Sequence, residues 1–425
     1  MSMKEYKPEM RIAIIGGGAA GMMAAATLLE KGVNAEIHLF ETNNVLGKKV
    51  SISGGGRCNV TTGITDRNIL LSKYTRGNKF LIPSFYEFPP DKVMSWFESK
   101  GIPLKVEDDL RVFPKSDIGT DVIKVFEKIF KNRVVLHLNE PVIKLTPPSE
   151  KEFYLETKIN SYSFNIVIIT SGGNAYGHTG SKGDGYNFAK SCNHTITKLG
   201  PSLNSFEVKQ EWCKTLAGIS LPNAKLEYVQ KDKPKISVSG PFLFTHFGIS
   251  GPVTFALSSH LAFEEISKES PKEISFLPTP NSNFDFWNKE LLDAFSQSPK
   301  KQVKHIISKH LPKRLAYEVL ALCKVNPDKR AGEVSKEERK NIAKASSGEI
   351  KLTLISRMKG DEFVTAGGVK LDEINKNTME SKITPNLYFA GEVLDVDGLT
   401  GGFNLQSAWA TGRLAGLSIA KNSIK

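Results

Sequence analysis

The sequence predicts an α/β chain whose dinucleotide-binding, Rossmann-type domain is split by insertions. Three observations predict it: a glycine-rich turn near the start, a second glycine-rich segment near the end, and alternating strand and helix patterns through about residue 195.

The first element is the apolar strand Arg11-Ile12-Ala13-Ile14-Ile15, which runs into Gly16-Gly17-Gly18-Ala19-Ala20-Gly21. In this G-x-G-x-x-G, Gly16 permits a tight turn, Gly18 lets backbone N–H groups approach a pyrophosphate, and Gly21 lets the following helix pack closely. That helix, over residues 19–31, begins at Ala19 and Ala20 and points its positive end at the phosphates. A second strand, residues 35–40, ends in Glu41, twenty residues past Gly21, where the fingerprint places a carboxylate for a ribose. Strand, glycines, helix, strand and acid agree, which a bare glycine turn would not require.

At the other end, Leu387-Tyr388-Phe389-Ala390-Gly391-Glu392 is followed by Gly398-Leu399-Thr400-Gly401-Gly402-Phe403-Asn404-Leu405-Gln406. This reads as the strand and loop that hold the far half of the same ligand, with Glu392 near a ribityl chain. The loop leads into a closing helix around residues 408–417, whose N-terminus is expected at the flavin N1/C2=O edge. A ligand gripped by both ends of a 425-residue chain is long, and FAD fits better than NAD. No His or Cys is placed by motif for a covalent link, so the FAD is expected to be non-covalent.

Between these ends lie further candidate contacts. Residues 53–59, Ser53-Gly54-Gly55-Gly56-Arg57-Cys58-Asn59, suit a loop beside the pyrophosphate and flavin, with Arg57 supplying charge. Thr170-Ser171-Gly172-Gly173 ends the buried strand predicted at residues 164–169, and Lys49 and Val142 join the cofactor set. Residues 134–138 are a further strand candidate. Gly180-Ser181-Lys182-Gly183-Asp184-Gly185 opens a helix whose N-terminus suits a flavin or an anionic substrate. Thr245-His246-Phe247-Gly248-Ile249-Ser250-Gly251-Pro252 places a titratable His among glycines.

From about residue 200 the text changes to short alternating runs such as residues 235–239, with Pro222, Pro234 and Pro241 between them, which suggests a small β domain. Residues 349–353 return the chain to it. The expected boundaries are 1–195 with 370–425 for the cofactor domain, 196–280 with 349–369 for the β insert, and 281–348 for a basic helical insert. Apolar residues recur there at helix spacing: Val303, Ile306 and Ile307, then Leu315, Val319 and Leu322.

Charge concentrates in that last insert. Residues 299–344 carry thirteen Lys and Arg against five acids, a net +8 of the chain's +12. A basic helical module is an electrostatic footprint for phosphate backbones, with Lys300, Lys301, Lys304, Lys313 and Arg314 as candidate contacts. A solvated lysine-rich surface accounts for the charge equally well. With 40% hydrophobic residues the chain can bury a sizeable core, and no apolar run approaches the roughly 20 residues of a membrane helix. The start lacks the apolar stretch of a signal peptide. Cys58, Cys192, Cys213 and Cys323 show no metal spacing and read as free thiols of a reducing cytoplasm.

Several of these strings resemble a family of bacterial NAD(P)/FAD-dependent oxidoreductases over essentially the whole chain. They are residues 53–59, residues 245–252, Thr365-Ala366-Gly367-Gly368-Val369, Thr378-Met379-Glu380-Ser381-Lys382 and the segment from Gly391 to Gln406. The resemblance implies a glutathione-reductase-like FAD domain carrying an inserted small β-barrel and a small helical domain. Family members are named as 3-dehydro-bile-acid reductases or associated with dihydrouridine formation in large-subunit ribosomal RNA; both reactions reduce an activated C=C bond. Thr170-Ser171-Gly172-Gly173 departs in a minor way from the A-T-G-G turn common in flavoproteins.

The expected reaction is hydride transfer from NAD(P)H through FAD to the β-carbon of an enone-like bond, with a protein acid protonating the neighbouring carbon. No second G-x-G-x-x-G of comparable context appears, so the nicotinamide is expected to visit the flavin as a ping-pong donor. Two residues are candidates for the acid. Cys58 adjoins Arg57, which would lower a thiol's pKa, although a free Cys is more often core filling. His246, with an ordinary pKa of about 6.5, is either the donor or a hydrogen-bonded junction residue. Three functions follow: a reductase of a uridine in ribosomal RNA docked by the basic helices, a reductase of a small enone, or a non-catalytic flavin-containing RNA-binding protein. Target nucleotide, nicotinamide preference and oligomeric state stay open.

Overall fold

The computed structural model describes residues 10–148, 151–230, 232–358, 360 and 362–423. The chain divides into two compact units, Met1–Pro201 with Phe363–Lys425, and Ser202–Glu362.

The first unit is organised by a parallel five-stranded sheet in the order Leu387–Phe389, Ile166–Ile169, Arg11–Ile15, Glu36–Glu41, Val135–Leu138. Its central strands are near-continuous apolar runs because both faces are covered, and Ile12, Ile14, Val167, Ile168 and Ile169 are fully buried. Phe164, expected within the Ile166–Ile169 strand, instead ends the separate strand Ser161–Phe164 of a three-stranded antiparallel sheet. The turn at Asn165 divides the two: its side-chain oxygen accepts from Arg11 N–H at 2.8 Å.

Two helices cross behind the glycine turn. The helix Ala19–Glu30 packs on the closing helix Phe403–Ser423, which is longer than the pattern around residues 408–417 suggested. Close approach is set by Gly412 and Gly416: a Cβ at the first would stand 2.3 Å from Ala20 O, and at the second 3.0 Å from Ala24 O. Trp409 on the same helix is fully buried and donates from Nε1 to Val60 O at 2.9 Å, satisfying its one polar atom.

The second unit is a closed six-stranded antiparallel barrel of Phe206–Val208, Gly248–Ser250, Ile236–Phe244, Ser220–Tyr228, Lys272–Leu277 and Ile350–Arg357. Closure leaves no free sheet edge. The segment between its last two strands is helical. The helix Phe284–Gln297 is capped by Asn283, which accepts from Phe286 N–H at 2.9 Å, and the helix Lys336–Lys344 by a capping box of Ser335 and Glu338. Trp287, Leu291, Val303, Ile307, Leu315 and Val319 share one buried cluster with the barrel residues Phe242, Phe244, Phe276 and Leu352. Helices and barrel therefore have a common core. Leu322 departs from the expected stripe: it ends the helix Lys313–Leu322 and is exposed.

Candidate functional site

The glycine turn lies at the carboxyl ends of the parallel strands, where open α/β sheets bind ligands. Each glycine has a distinct physical reason. Gly16 has φ +110°, and a Cβ there would stand 2.6 Å from Thr170 O; at Gly21 it would stand 2.0 Å from Gly16 O. At Gly18 a Cβ would meet nothing within 4 Å. The first two are required by packing, and the third fronts open space. Ala19 and Ala20 begin the helix, whose first turn has neither a side-chain cap nor an acid, so its N–H groups and positive end are left for an anion.

Glu41 stands beside the glycine turn. Its Oε2 accepts from Gly17 N–H at 2.9 Å, and its Oε1 accepts from Asn43 N–H at 2.9 Å and Asn43 Nδ2 at 2.6 Å. Asn43 Nδ2 also donates to Thr179 O at 2.8 Å, and Lys48 Nζ to His178 O at 2.9 Å. These two residues were not read from the sequence, although Asn43 stands only two positions beyond the acid. Through Asn43 they strap the loop after Gly172 to the Glu41 carboxylate. Val142 is buried two residues past Glu140, whose N–H donates to Glu41 O at 3.1 Å.

The two distant glycine motifs meet. A Cβ on Gly391 (φ +80°) would stand 2.9 Å from Ala20 Cβ. Glu392 Oε2 accepts from Lys49 Nζ at 2.7 Å, and Oε1 from Thr365 N–H at 3.0 Å. Gly402 (φ +87°) lies on Thr61 O, 2.2 Å from where its Cβ would be. With its amide turned to satisfy both groups, Asn59 accepts from Gly402 N–H at 2.9 Å and donates to Thr61 O at 3.0 Å. The segment of Gly401, Gly402, Phe403, Asn404 and Leu405 thus starts the closing helix against the loop after Ser53. Asn404 is turned inward, accepting from Gly398 N–H at 2.9 Å and donating to Gly398 O at 2.8 Å.

Within residues 53–59, Gly54, Gly55, Gly56 and Cys58 all have positive φ, between 60° and 88°. Arg57 has protein partners of its own. Its Nη1 lies 2.7 Å from Glu107 Oε1, and its guanidinium carbon sits 3.8 Å over the Phe113 ring. It fastens the glycine loop to the hairpin of Leu104–Val106 and Arg111–Pro114. Cys58 is fully buried, and burial pushes its thiol up to about 12, opposite to the lowering expected from its neighbour Arg57. Such a thiol stays neutral and packs. Gly172 has φ +76°, and the Ser171 hydroxyl beside it is buried with no protein partner. An open Gly18 cradle and an uncapped helix end fit a dinucleotide pyrophosphate.

His246 belongs to the second unit. It is exposed in the turn where Thr245 N–H donates to Gly248 O at 2.9 Å, with its ring edge-on to Phe247. In the basic helices, Lys304 pairs with Asp328, Lys329 with Glu338 at 2.8 Å, and Arg314 donates to Thr215 O. Lys300, Lys301, Lys309 and Lys313 are exposed. Among the described residues no group of His, Cys, Asp and Glu could hold a metal, and no helix is long and apolar enough to cross a membrane.

Sheet, glycine turn and converging C-terminal loop define a dinucleotide-binding protein of the Rossmann type. The family model described as the HI0933-like protein Rossmann domain matches residues 10–418, and the chain belongs to that family, one of FAD-dependent oxidoreductases. It is 29% identical over 422 residues to a 3-dehydro-bile acid delta(4,6)-reductase of Clostridium scindens, covering 97% of this chain and 99% of that one. It is 28% identical over 428 residues to the ribosomal RNA dihydrouridine synthase of Haemophilus influenzae, covering 99% and 100%. Among solved structures, 3-ketosteroid delta1-dehydrogenase from Sterolibacterium denitrificans superposes with a TM-score of 0.50 at 12% identity, covering 97% of this chain and 99% of that one, a likeness of fold.

Proposed function

We propose that this chain is a flavoprotein reductase that uses NAD(P)H to reduce the C5=C6 bond of a uridine in large-subunit ribosomal RNA. Bound FAD supplies hydride transfer from a nicotinamide to the β-carbon of a C=C bond conjugated to a carbonyl. The helix end at Ala19 and the open face of Gly18 hold the pyrophosphate. Glu41 takes the adenosine ribose hydroxyls, and Glu392, oriented by Lys49, takes the ribityl chain. The positive end of the helix Phe403–Ser423, with no acid in its first turn, favours negative charge on the flavin edge.

The observation that carries the RNA reading is the exposed lysine set Lys300, Lys301, Lys309 and Lys313, on the turns and helix start of the segment between the last two barrel strands, since a small-molecule reductase gains nothing from it. A glutathione-reductase-like split of the cofactor domain and a cytoplasmic location belong to the same proposal. The test is mass mapping of ribosomal RNA from a deletion strain. Loss of one dihydrouridine, restored by the purified protein with NAD(P)H, supports it; an unchanged map sinks it. The 29% identity to the Clostridium scindens protein favours a second reading, reduction of a small steroid-like enone. Turnover of such an acid with no effect on RNA would select that one.

A further inference from the structure

A chain of ionisable groups that the proposed reaction does not use lies under the sheet edge. His38 Nδ1 is 2.9 Å from His137 Nε2, and His137 Nδ1 is 2.8 Å from Glu140 Oε2. At the other end His38 Nε2 lies 3.3 Å from Glu36 Oε2 and 3.4 Å from Arg11 Nη2, while Arg11 Nε donates to Glu36 Oε2 at 3.1 Å. Tyr162 OH and Thr157 Oγ1 each donate to Glu140 Oε1 at 2.8 Å. The His38 and His137 side chains are only 6% and 11% exposed. Phe40 stacks on His137 with centroids 4.2 Å apart, and Phe164 meets His38 edge-on at 5.0 Å. The two facing ring nitrogens point at each other and not at a common centre, so this is no metal site.

Counting protons fixes what the pair can hold. With two ring protons every group is satisfied: Arg11 donates to His38 Nε2, His38 Nδ1–H to His137 Nε2, and His137 Nδ1–H to Glu140. A third proton goes to His38 Nε2 and faces Glu36, leaving one positive charge between two carboxylates. A fourth would set N–H against N–H at the 2.9 Å contact, and the rings must part.

Parting them opens a functional seam. His38 lies on the strand that ends in Glu41, and His137 on the edge strand Val135–Leu138, which pairs in the sheet with that strand. The same seam continues through Glu140 N–H to Glu41 O at 3.1 Å and Asn139 N–H to Asn43 O at 2.9 Å. We propose that the Glu36–His38–His137–Glu140 chain is a proton-limited clasp on the adenosine end of the cofactor site, and that the protein releases FAD when the clasp takes up its fourth ring proton. This rests on Glu41 being the ribose carboxylate.

The direction follows from burial. Desolvation holds the His38 imidazole below its ordinary range, against the pull of Glu36. Glu36 and Glu140 stay below the usual carboxylate range despite burial, because His38 and Arg11 bond the first, and Thr157, Tyr162 and His137 the second. Folded His38 thus holds fewer imidazole protons than it does in the unfolded chain. Its contribution is complete above about pH 6.5 and is lost as pH falls below it.

The experiment is FAD release from the holoprotein between pH 9 and 4.5, read by flavin fluorescence. The FAD dissociation constant should be flat to about pH 7 and rise toward about tenfold per pH unit at the acid end, the slope of one proton. In His137→Gln the amide oxygen can accept from His38 Nδ1–H in either charge state, so the acid release should vanish while affinity at pH 8 changes less than about threefold. An acid profile identical in wild type and variant overturns the clasp. Should the variant not fold, the protection of the 135–138 amides in the wild type, taken relative to the intrinsic exchange rate at each pH, must fall with acid before global unfolding, and protection independent of pH overturns it equally. Glu41→Gln separates the premise: unchanged affinity at pH 8 refutes the ribose role of Glu41, while the exchange measurement still judges the clasp itself.

Discussion

Lys49 and Glu392, separated by 343 residues, are joined by a 2.7 Å ion pair in which both side chains are half-buried. The pair connects the short helix Lys48–Ile52, which follows the strand ending in Glu41, to the turn after the strand Leu387–Phe389, so it locks the two glycine motifs in one arrangement. Lys49 Nζ also lies 5.7 Å over the Tyr176 ring, and Tyr176 holds a left-handed φ of 58°. Lys49→Met should leave Glu392 with its Thr365 N–H bond but free to rotate toward solvent. FAD dissociation, followed by fluorescence at pH 8, should weaken about tenfold, roughly 1.4 kcal/mol. An unchanged constant would mean the pair serves the fold alone.

Gly18 and Gly21 separate binding from folding. Gly18 has φ −79° and ψ −169°, which any residue can adopt, and its Cβ direction is empty. Gly18→Val should therefore fold, at a cost of about 1 kcal/mol for a poorer helix cap, and lose FAD. Gly21→Ala puts a methyl 2.0 Å from Gly16 O and should destabilise the apoprotein by about 1–3 kcal/mol. Thermal unfolding of both apoproteins beside flavin content checks the contrast. Equal melting losses in the two variants would refute it.

Much of this site was legible because short motifs carry their own geometry. The strand, turn, helix and acid from Arg11 to Glu41 lie where spacing placed them, and Gly391 meets Ala20 as a ligand held from both ends requires. What stayed hidden depends on three-dimensional partners. Arg57 looked like a free cation until Glu107, fifty residues away, claimed it. Asn404 looked like a flavin contact, yet its amide clasps both backbone groups of Gly398, so Asn404→Asp would break a donor bond before it tuned any potential. Neither pairing leaves a periodic trace. The His38–His137 contact is equally silent, since it joins strands 99 residues apart by one side-chain bond.

Cys58 supplies a chemical test of burial. A thiol at about 12 is ionised to about one part in ten thousand at pH 8, and this one is also enclosed. Native protein should resist iodoacetamide at Cys58 for hours at pH 8 and react only on unfolding, as read by peptide mass mapping. Cys58→Ala should keep turnover within about threefold, with the cost appearing as about 1–2 kcal/mol of stability from lost packing. Rapid native alkylation, or a hundredfold loss of turnover with FAD retained, would return Cys58 to the chemistry.

The basic helices decide between substrates. Lys304 and Arg314 are committed to Asp328 and to Thr215 O, so reversing them would damage the unit as well as its surface. Lys300, Lys301, Lys309 and Lys313 are exposed and can be reversed to Glu with less structural cost. If they meet phosphates, affinity for ribosomal RNA must fall steeply with salt. The quadruple variant should flatten that slope by roughly one unit per lost contact. Flavin content and NAD(P)H oxidation by a small acceptor should survive, because the glycine motifs lie in the other unit. RNA modification that persists in the variant at physiological salt would make the lysines an ordinary solvated surface and leave the small-enone reductase as the better account.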